Sequence, residues 1–173
     1  MSRISGNCGY LDEDGIVLPE DLAKMLAPYR KNMIRLSGVL TRLSDSLKAS
    51  SPRMVLCHTD AHNHNVMQSG DQLYLIDWEG IRLAPPETDF IFFVDKSCYP
   101  VFLGNYKKAH KDFVIDNSAL SFYRLRRILE DLWQWIEQLL FDEQDDRQRE
   151  QTMDFLGREL AELEAVEDLS AAA

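Results

Sequence analysis

The polar chemistry of this 173-residue chain is concentrated in two short stretches. One is His58-Thr59-Asp60-Ala61-His62-Asn63-His64-Asn65; the other is Asp77-Trp78-Glu79-Gly80, which begins 17 residues after Asp60. Transfer of a phosphoryl group from a nucleotide needs a carboxylate that orients the attacking hydroxyl and takes its proton. It also needs an amide oxygen and a second carboxylate that hold Mg²⁺ against the phosphates. Asp60, Asn65 and Asp77 are a set of that kind. A second chemistry stays open. His58, Asp60, His62 and His64 alternate, and on a strand all four side chains would share one face, as in a zinc or dinuclear centre for hydrolysis. That reading leaves Asn65 and Asp77 without a role, and His110 is the one histidine outside the stretch.

The elements that must position these groups are read from periodicity. Met54-Val55-Leu56-Cys57 is a short apolar run, Asn65-Val66-Met67 is another, and Leu73-Tyr74-Leu75-Ile76 follows the turn residues Gln68-Ser69-Gly70-Asp71. The last two predict a β-hairpin, with the chemistry on the loops around it. Before it, residues 1–17 read as a flexible entry segment, and Pro19-Glu20-Asp21 as the start of a helix that Pro28 cuts short. Met33, Leu36, Leu40, Leu43 and Leu47 predict a longer amphipathic helix, ended by Ser50-Ser51-Pro52. After Pro85-Pro86, Asp89 is placed to cap a short helix running to Val94. Residues 100–168 read as helical, with one stripe of Phe122, Leu125, Leu129, Leu132, Ile136 and Leu139 and a thinner one of Met153, Leu156, Leu160 and Leu163. Trp133 and Trp135 read as core. The fold class is mainly α with a small β-hairpin.

Composition bounds the function. The net charge is −10, yet residues 130–168 alone carry fourteen acids against Arg147, Arg149 and Arg158, so the remainder is close to neutral. Arg124, Arg126 and Arg127 read as a solvated basic face, too few for a nucleic-acid footprint. The acidic third is either a solvated helix surface or one that attracts a cationic small molecule. No apolar run reaches the about 20 residues of a membrane span, and the first residues lack the apolar core of a signal peptide. Cys8, Cys57 and Cys98 are unpaired by spacing and read as reduced thiols of a cytoplasmic protein.

Protein kinases carry H-R-D-x-x-x-x-N followed by D-F-G; here the strings are His58-Thr59-Asp60 with Asn65, and Asp77-Trp78-Glu79-Gly80. In this form the chain resembles the aminoglycoside phosphotransferase family, whose signature is approximately H-G-D-x-H-x-x-N and then I-D-W/F. The spectinomycin phosphotransferase branch is most similar, through residues 56–62, 76–79, 83–89 and the helix bearing Tyr123 to Asp131. The resemblance covers roughly residues 18–168. It implies the C-terminal lobe of a kinase-like fold over 18–173, with a catalytic loop at 58–65, a metal-binding segment at 77–80 and a helical part at 100–168. By position it makes Asp60 the catalytic base and Asn65 and Asp77 the Mg²⁺ ligands, with His58 and Asp89 bracing the loop. Thr59 stands where the family has Gly. Glu130 and Asp131 are candidates for holding the substrate. ATP is the implied co-substrate, and the acceptor is a small cationic alcohol of aminoglycoside, aminocyclitol or choline-like type.

The 173 residues contain no G-x-G-x-x-G loop or P-loop, since Gly6, Gly9 and Gly15 are wrongly spaced. The expectation is therefore that the N-terminal nucleotide lobe is absent, and that the chain alone binds ATP weakly and turns over negligibly. An exposed apolar lobe surface would favour self-association. A non-catalytic binding or scaffold remnant is the rival reading.

Overall fold

The computed structural model describes residues 10–11 and 17–165. The rest of the segment expected to be flexible at 1–17, Cys8 and residues 166–173 lie outside the described residues. Strands β1 (Tyr10–Leu11) and β2 (Val17–Leu18) pair antiparallel, a feature that the polar sequence of this segment did not signal. The remaining elements are α1 (Glu20–Leu26), α2 (Arg30–Ser50), β3 (Val55–Cys57), β4 (Val66–Ser69), β5 (Gln72–Leu75), β6 (Arg82–Ala84), α3 (Glu87–Phe90), α4 (Tyr99–Ala109), α5 (Asn117–Phe141) and α6 (Asp146–Ala165). The described residues divide into two compact units, one formed by those up to Val39 with Arg126–Ala165, the other by Leu40–Leu125.

In the first unit the helices follow the apolar stripes. Pro28 turns the chain through a 3₁₀ segment, Ala27–Tyr29, because its ring cannot continue α1. Leu22, Leu36, Leu132, Leu156, Leu160 and Leu163 are fully buried; burying such a side chain stabilises by about 1.5–3 kcal/mol. Two polar ties fix the helices within this unit. Asn32 Nδ2 donates to the Leu163 carbonyl at 3.2 Å, and Arg149 pairs with Asp21 at 2.9 Å while also donating to the Leu139 carbonyl at 3.1 Å. Trp133 departs from its expected core position and is 52% exposed, because Leu132 and Ile136 take the buried stripe. Trp135 stacks on Phe155 at 5.1 Å.

The second unit holds the two stretches singled out above, 58–65 and 77–80. α2 ends as expected, with Ser51 in the left-handed region (φ 50°) just before Pro52. β3 then pairs antiparallel with β6 in the register Val55↔Ala84, Leu56↔Leu83, Cys57↔Arg82. This partner was not foreseen, since Arg82-Leu83-Ala84 is too short to carry an alternation signal. The β4–β5 hairpin forms where expected, with Gly70 supplying φ 60° in a two-residue turn. Helix α3 is shorter than the span expected to Val94, and Pro86 rather than Asp89 occupies its N-cap. Residues expected to be helical throughout 100–168 are interrupted at 110–116 and 142–145. Phe90, Phe113 and Leu120 form the local core, against which Phe102, Leu103 and Tyr106 pack. Phe90 meets Phe102, Tyr106 and Phe113 edge-on at 4.9–5.5 Å. The fold is thus helix-rich with small antiparallel sheets.

Candidate active site

Asp89 organises the loop that carries Asp60. One carboxylate oxygen accepts the His58 backbone N–H at 2.9 Å, and the other accepts that of Thr59 at 2.6 Å. Two consecutive amides on one carboxylate force the loop to turn sharply. Thr59 accordingly takes a left-handed conformation, φ 73°, at a cost of about 1–2 kcal/mol for a side chain with a Cβ. The family's Gly at this position would adopt it freely.

The side chains of the same two residues reach across to the Asp77 segment. His58 is 3% exposed. Its Nδ1 accepts the Asp60 N–H at 3.3 Å, which leaves the ring proton on Nε2, 2.8 Å from the Ile76 carbonyl. Trp78 packs edge-on against this ring at 4.7 Å and donates through Nε1 to the Leu75 carbonyl. Thr59 Oγ1 donates to the Gly80 carbonyl at 3.0 Å. Asp77 itself is left-handed, φ 63°, a conformation Asp tolerates. The sequence 76–80 is therefore pinned on both sides of Asp77 by residues 58 and 59.

Asn65, 7% exposed, closes the loop. Its Nδ2 donates to the Asp60 carbonyl at 2.9 Å and to Asp60 Oδ2 at 3.1 Å, and its own carbonyl accepts the Ile76 N–H at 2.9 Å. The bonds to Asp60 use Nδ2 and leave the side-chain amide oxygen out of that contact. His62 Nε2 stands 3.3 Å from Asp60 Oδ2, and its Nδ1 accepts the His64 N–H at 3.2 Å.

These placements bear on both metal readings. Asp77 and the Asn65 amide are hard oxygen donors, and Mg²⁺ is held by one or two such ligands with water and phosphate oxygens completing its shell. The set fits that ion. The zinc reading does not fit. Among the described residues no three His, Cys, Asp or Glu side chains are grouped to hold a metal, and both nitrogens of His58 are already engaged.

Beneath the loop, Glu87 is 2% exposed and accepts the Asp116 N–H at 2.9 Å. Asp116 in turn receives the Ser118 and Ala119 amides at the start of α5, so α3 is anchored there. Burial pushes the Glu87 carboxyl above its ordinary range, against the opposing hydrogen bonds. Cys57, also buried, has its thiol pushed up to about 12, by burial first and then by the neighbouring Asp89 charge. Cys57 and Cys98 are both free thiols. Of the other sequence candidates, Glu130 and Asp131 lie on α5 in the first unit, where they pair with Arg126 at 2.7 Å and Arg127 at 2.8 Å. Arg124 pairs with Asp95 at 2.7 Å. A cavity of about 350 Å³ in the first unit, lined in part by Trp135, Gln144 and Phe155, is not lined by Asp60, Asn65, Asp77, Asp89, Glu130 or Asp131.

Sequence reasoning missed Glu87 as a buried anchor, and it missed the close approach at Gly80. A Cβ built on Gly80 would lie 2.7 Å from Thr59 Oγ1. The signal for Thr59 was present, as a β-branched residue where the family has Gly.

The model of the phosphotransferase enzyme family matches residues 14–117, more than half of the chain and all of the loop system just described. The chain belongs to this family. The resemblance to the aminoglycoside phosphotransferase family drawn from the sequence is borne out. Among solved structures this family member is similar to spectinomycin phosphotransferase in complex with ADP and spectinomycin, with a TM-score of 0.63 and 24% identity over 85% of this chain and 48% of that one. The AMP-bound complex of spectinomycin phosphotransferase gives a TM-score of 0.52 and 24% identity over 91% of this chain and 52% of that one. The phosphotransferase family chain thus spans about half the length of the structures it matches. No curated protein sequence matches it. Among the described residues no helix is long and apolar enough to cross a membrane.

Proposed function

We propose that this chain carries the acceptor and metal half of an ATP-dependent phosphotransferase acting on a hydroxyl of a small cationic molecule, an aminoglycoside, aminocyclitol or choline-like alcohol. The observation that carries the reading is the double pinning of residues 76–80 by His58 and Thr59, which sets Asp77 beside the loop of Asp60 and Asn65. Asp60 is the catalytic base, aligning the acceptor hydroxyl and taking its proton as the oxygen attacks. Asn65 and Asp77 are the residues that would hold Mg²⁺. When bound with a nucleotide, that ion neutralises charge on the phosphate oxygens. His58 and Asp89 keep the base and the metal residues in register.

In this reading the chain corresponds to the C-terminal lobe of a kinase-like fold, and a nucleotide-clamping half completes the site. The half-length coverage of spectinomycin phosphotransferase supports it, as does the apolar surface of the small strands. Leu56 and Leu83, paired in register on β3 and β6, are each 66% exposed, and Met67, Leu73 and Tyr74 on the hairpin are exposed too. Such a surface suits contact with further polypeptide, a second copy included. Nucleotide use and free thiols fit a cytoplasmic setting. Substrate contact by Glu130 or Asp131 would bring a cationic group beside the Arg126 or Arg127 guanidinium that each carboxylate already pairs with.

The test is to join residues 1–173 to the nucleotide-binding half of spectinomycin phosphotransferase and assay Mg-ATP-dependent phosphorylation of an aminocyclitol. Loss of a general base costs about 10²–10⁴-fold. Activity that survives Asp60→Ala at more than a tenth of the wild-type rate would remove Asp60 from its role.

A further inference from the structure

We infer that Thr59 is a positioning residue, a hydroxyl latch that holds the Asp77 segment against the catalytic loop at the expense of its own backbone conformation. The inference rests on the reading of Asn65 and Asp77 as the metal residues. Four observations carry it. Thr59 sits at φ 73°, where a β-branched residue is an outlier. Its amide is held there by Asp89 at 2.6 Å. Its hydroxyl reaches the Gly80 carbonyl at 3.0 Å, closing the far side of the segment that His58 holds at Ile76. And residue 80 approaches that hydroxyl closely, so that a Cβ there would come within 2.7 Å of the hydroxyl oxygen and one of the two would have to shift.

A residue kept in a strained conformation next to a functional carboxylate points to a role that the strain secures. Glycine would remove the strain, yet it has no hydroxyl to offer Gly80. The latch makes two consequences separable. Stability should follow backbone strain, whereas the placement of Asp77 should follow the hydroxyl.

The experiment compares Thr59→Ser, Thr59→Ala, Thr59→Gly, Gly80→Ala and the double variant Thr59→Gly/Gly80→Ala. The first measurement is amide hydrogen exchange at Ile81, whose N–H bonds the Trp78 carbonyl and so reports opening of the 78–80 turn. The second is Mn²⁺ affinity from paramagnetic relaxation, and the third is urea unfolding. Thr59→Ser should match the wild type in Ile81 exchange and Mn²⁺ binding. Thr59→Ala and Thr59→Gly should speed Ile81 exchange and weaken Mn²⁺ by about tenfold, the scale typical when a group supporting a metal ligand is lost. Thr59→Gly should nevertheless unfold at a higher urea concentration than Thr59→Ala. Gly80→Ala should disturb the wild type but add little in the Thr59→Gly background, where the clashing hydroxyl is gone.

If Thr59→Gly keeps wild-type Ile81 exchange, the latch is overturned, and it is equally overturned if Mn²⁺ affinity simply follows unfolding stability across the series. A wild-type protein that binds no Mn²⁺ while Ile81 exchange still responds to Thr59→Ala would uphold the tie between the segments and overturn the metal reading instead.

Discussion

Replacing Asp89 by Ala removes both acceptors that hold the loop of Asp60, at 2.9 Å to the His58 amide and 2.6 Å to that of Thr59. A hydrogen bond to a charged group contributes about 1.5–3 kcal/mol, so the pair amounts to about 3–6 kcal/mol. Part of that is returned, because the released Thr59 relaxes out of the left-handed region and recovers about 1–2 kcal/mol. The net loss works out at about 1–5 kcal/mol, against the about 5–15 kcal/mol of a typical domain, so the variant should fold but with reduced stability. Asp89→Asn keeps one acceptor and sets an NH₂ group against the second amide, so it should lose at least one bond, about 1.5–3 kcal/mol. The assay is urea unfolding together with amide exchange at His58 and Thr59. At 1.4 kcal/mol per decade, Asp89→Ala should speed those two amides by about a hundredfold. A loss below about 0.5 kcal/mol, the range of an ordinary surface substitution, with unchanged protection at both amides, would refute the clamp.

Three other outcomes follow from the same geometry. Asp77→Asn keeps a residue type that tolerates φ 63° on an exposed turn, so stability should stay within about 0.5 kcal/mol. Mg²⁺ affinity, read by calorimetric titration, should still fall at least about tenfold. The raised Glu87 carboxyl means that the folded protein holds this proton more tightly than the unfolded chain does. Stability should therefore decline as pH rises from the ordinary carboxyl value of 4.5 through the raised one. Glu87→Gln, which can keep the bond to Asp116, should lack that decline when urea unfolding is compared at pH 4.5 and 7. Cys57, buried with its thiol pushed up to about 12, should resist alkylation at pH 8 until urea is added, while exposed Cys98 labels in the native protein; peptide mass mapping checks the order.

What could be read in the sequence was what depends on local pattern. Met33 through Leu47 and Leu132 through Leu139 marked their helices because a stripe at 3.6-residue spacing has few other uses. Gly70-Asp71 between apolar runs marked the hairpin. The set of Asp60, Asn65 and Asp77 was visible because its residue types suit phosphoryl transfer and its spacing follows the kinase pattern of H-R-D-x-x-x-x-N and D-F-G. The pairing of β3 with β6 was not visible, since it joins three residues to three others across about 27 positions of chain, and neither run alternates. Asp89 was ambiguous between a helix cap and a loop clamp, because either role uses a carboxylate near backbone amides, and the choice depends on a tertiary contact 31 residues away. Glu87 was given no separate role in the sequence; its burial and its bond to the Asp116 amide 29 residues on depend on tertiary packing that no local pattern announces.

The most direct measurement of the account is phosphoryl transfer from Mg-ATP to an aminocyclitol by residues 1–173 joined to a nucleotide-binding half, for the wild type and Asp60→Asn side by side. The account predicts phosphorylated product from the wild type and a fall of at least about a hundredfold in Asp60→Asn, with both proteins folded. Equal product from the two, or none from the wild type, would contradict it.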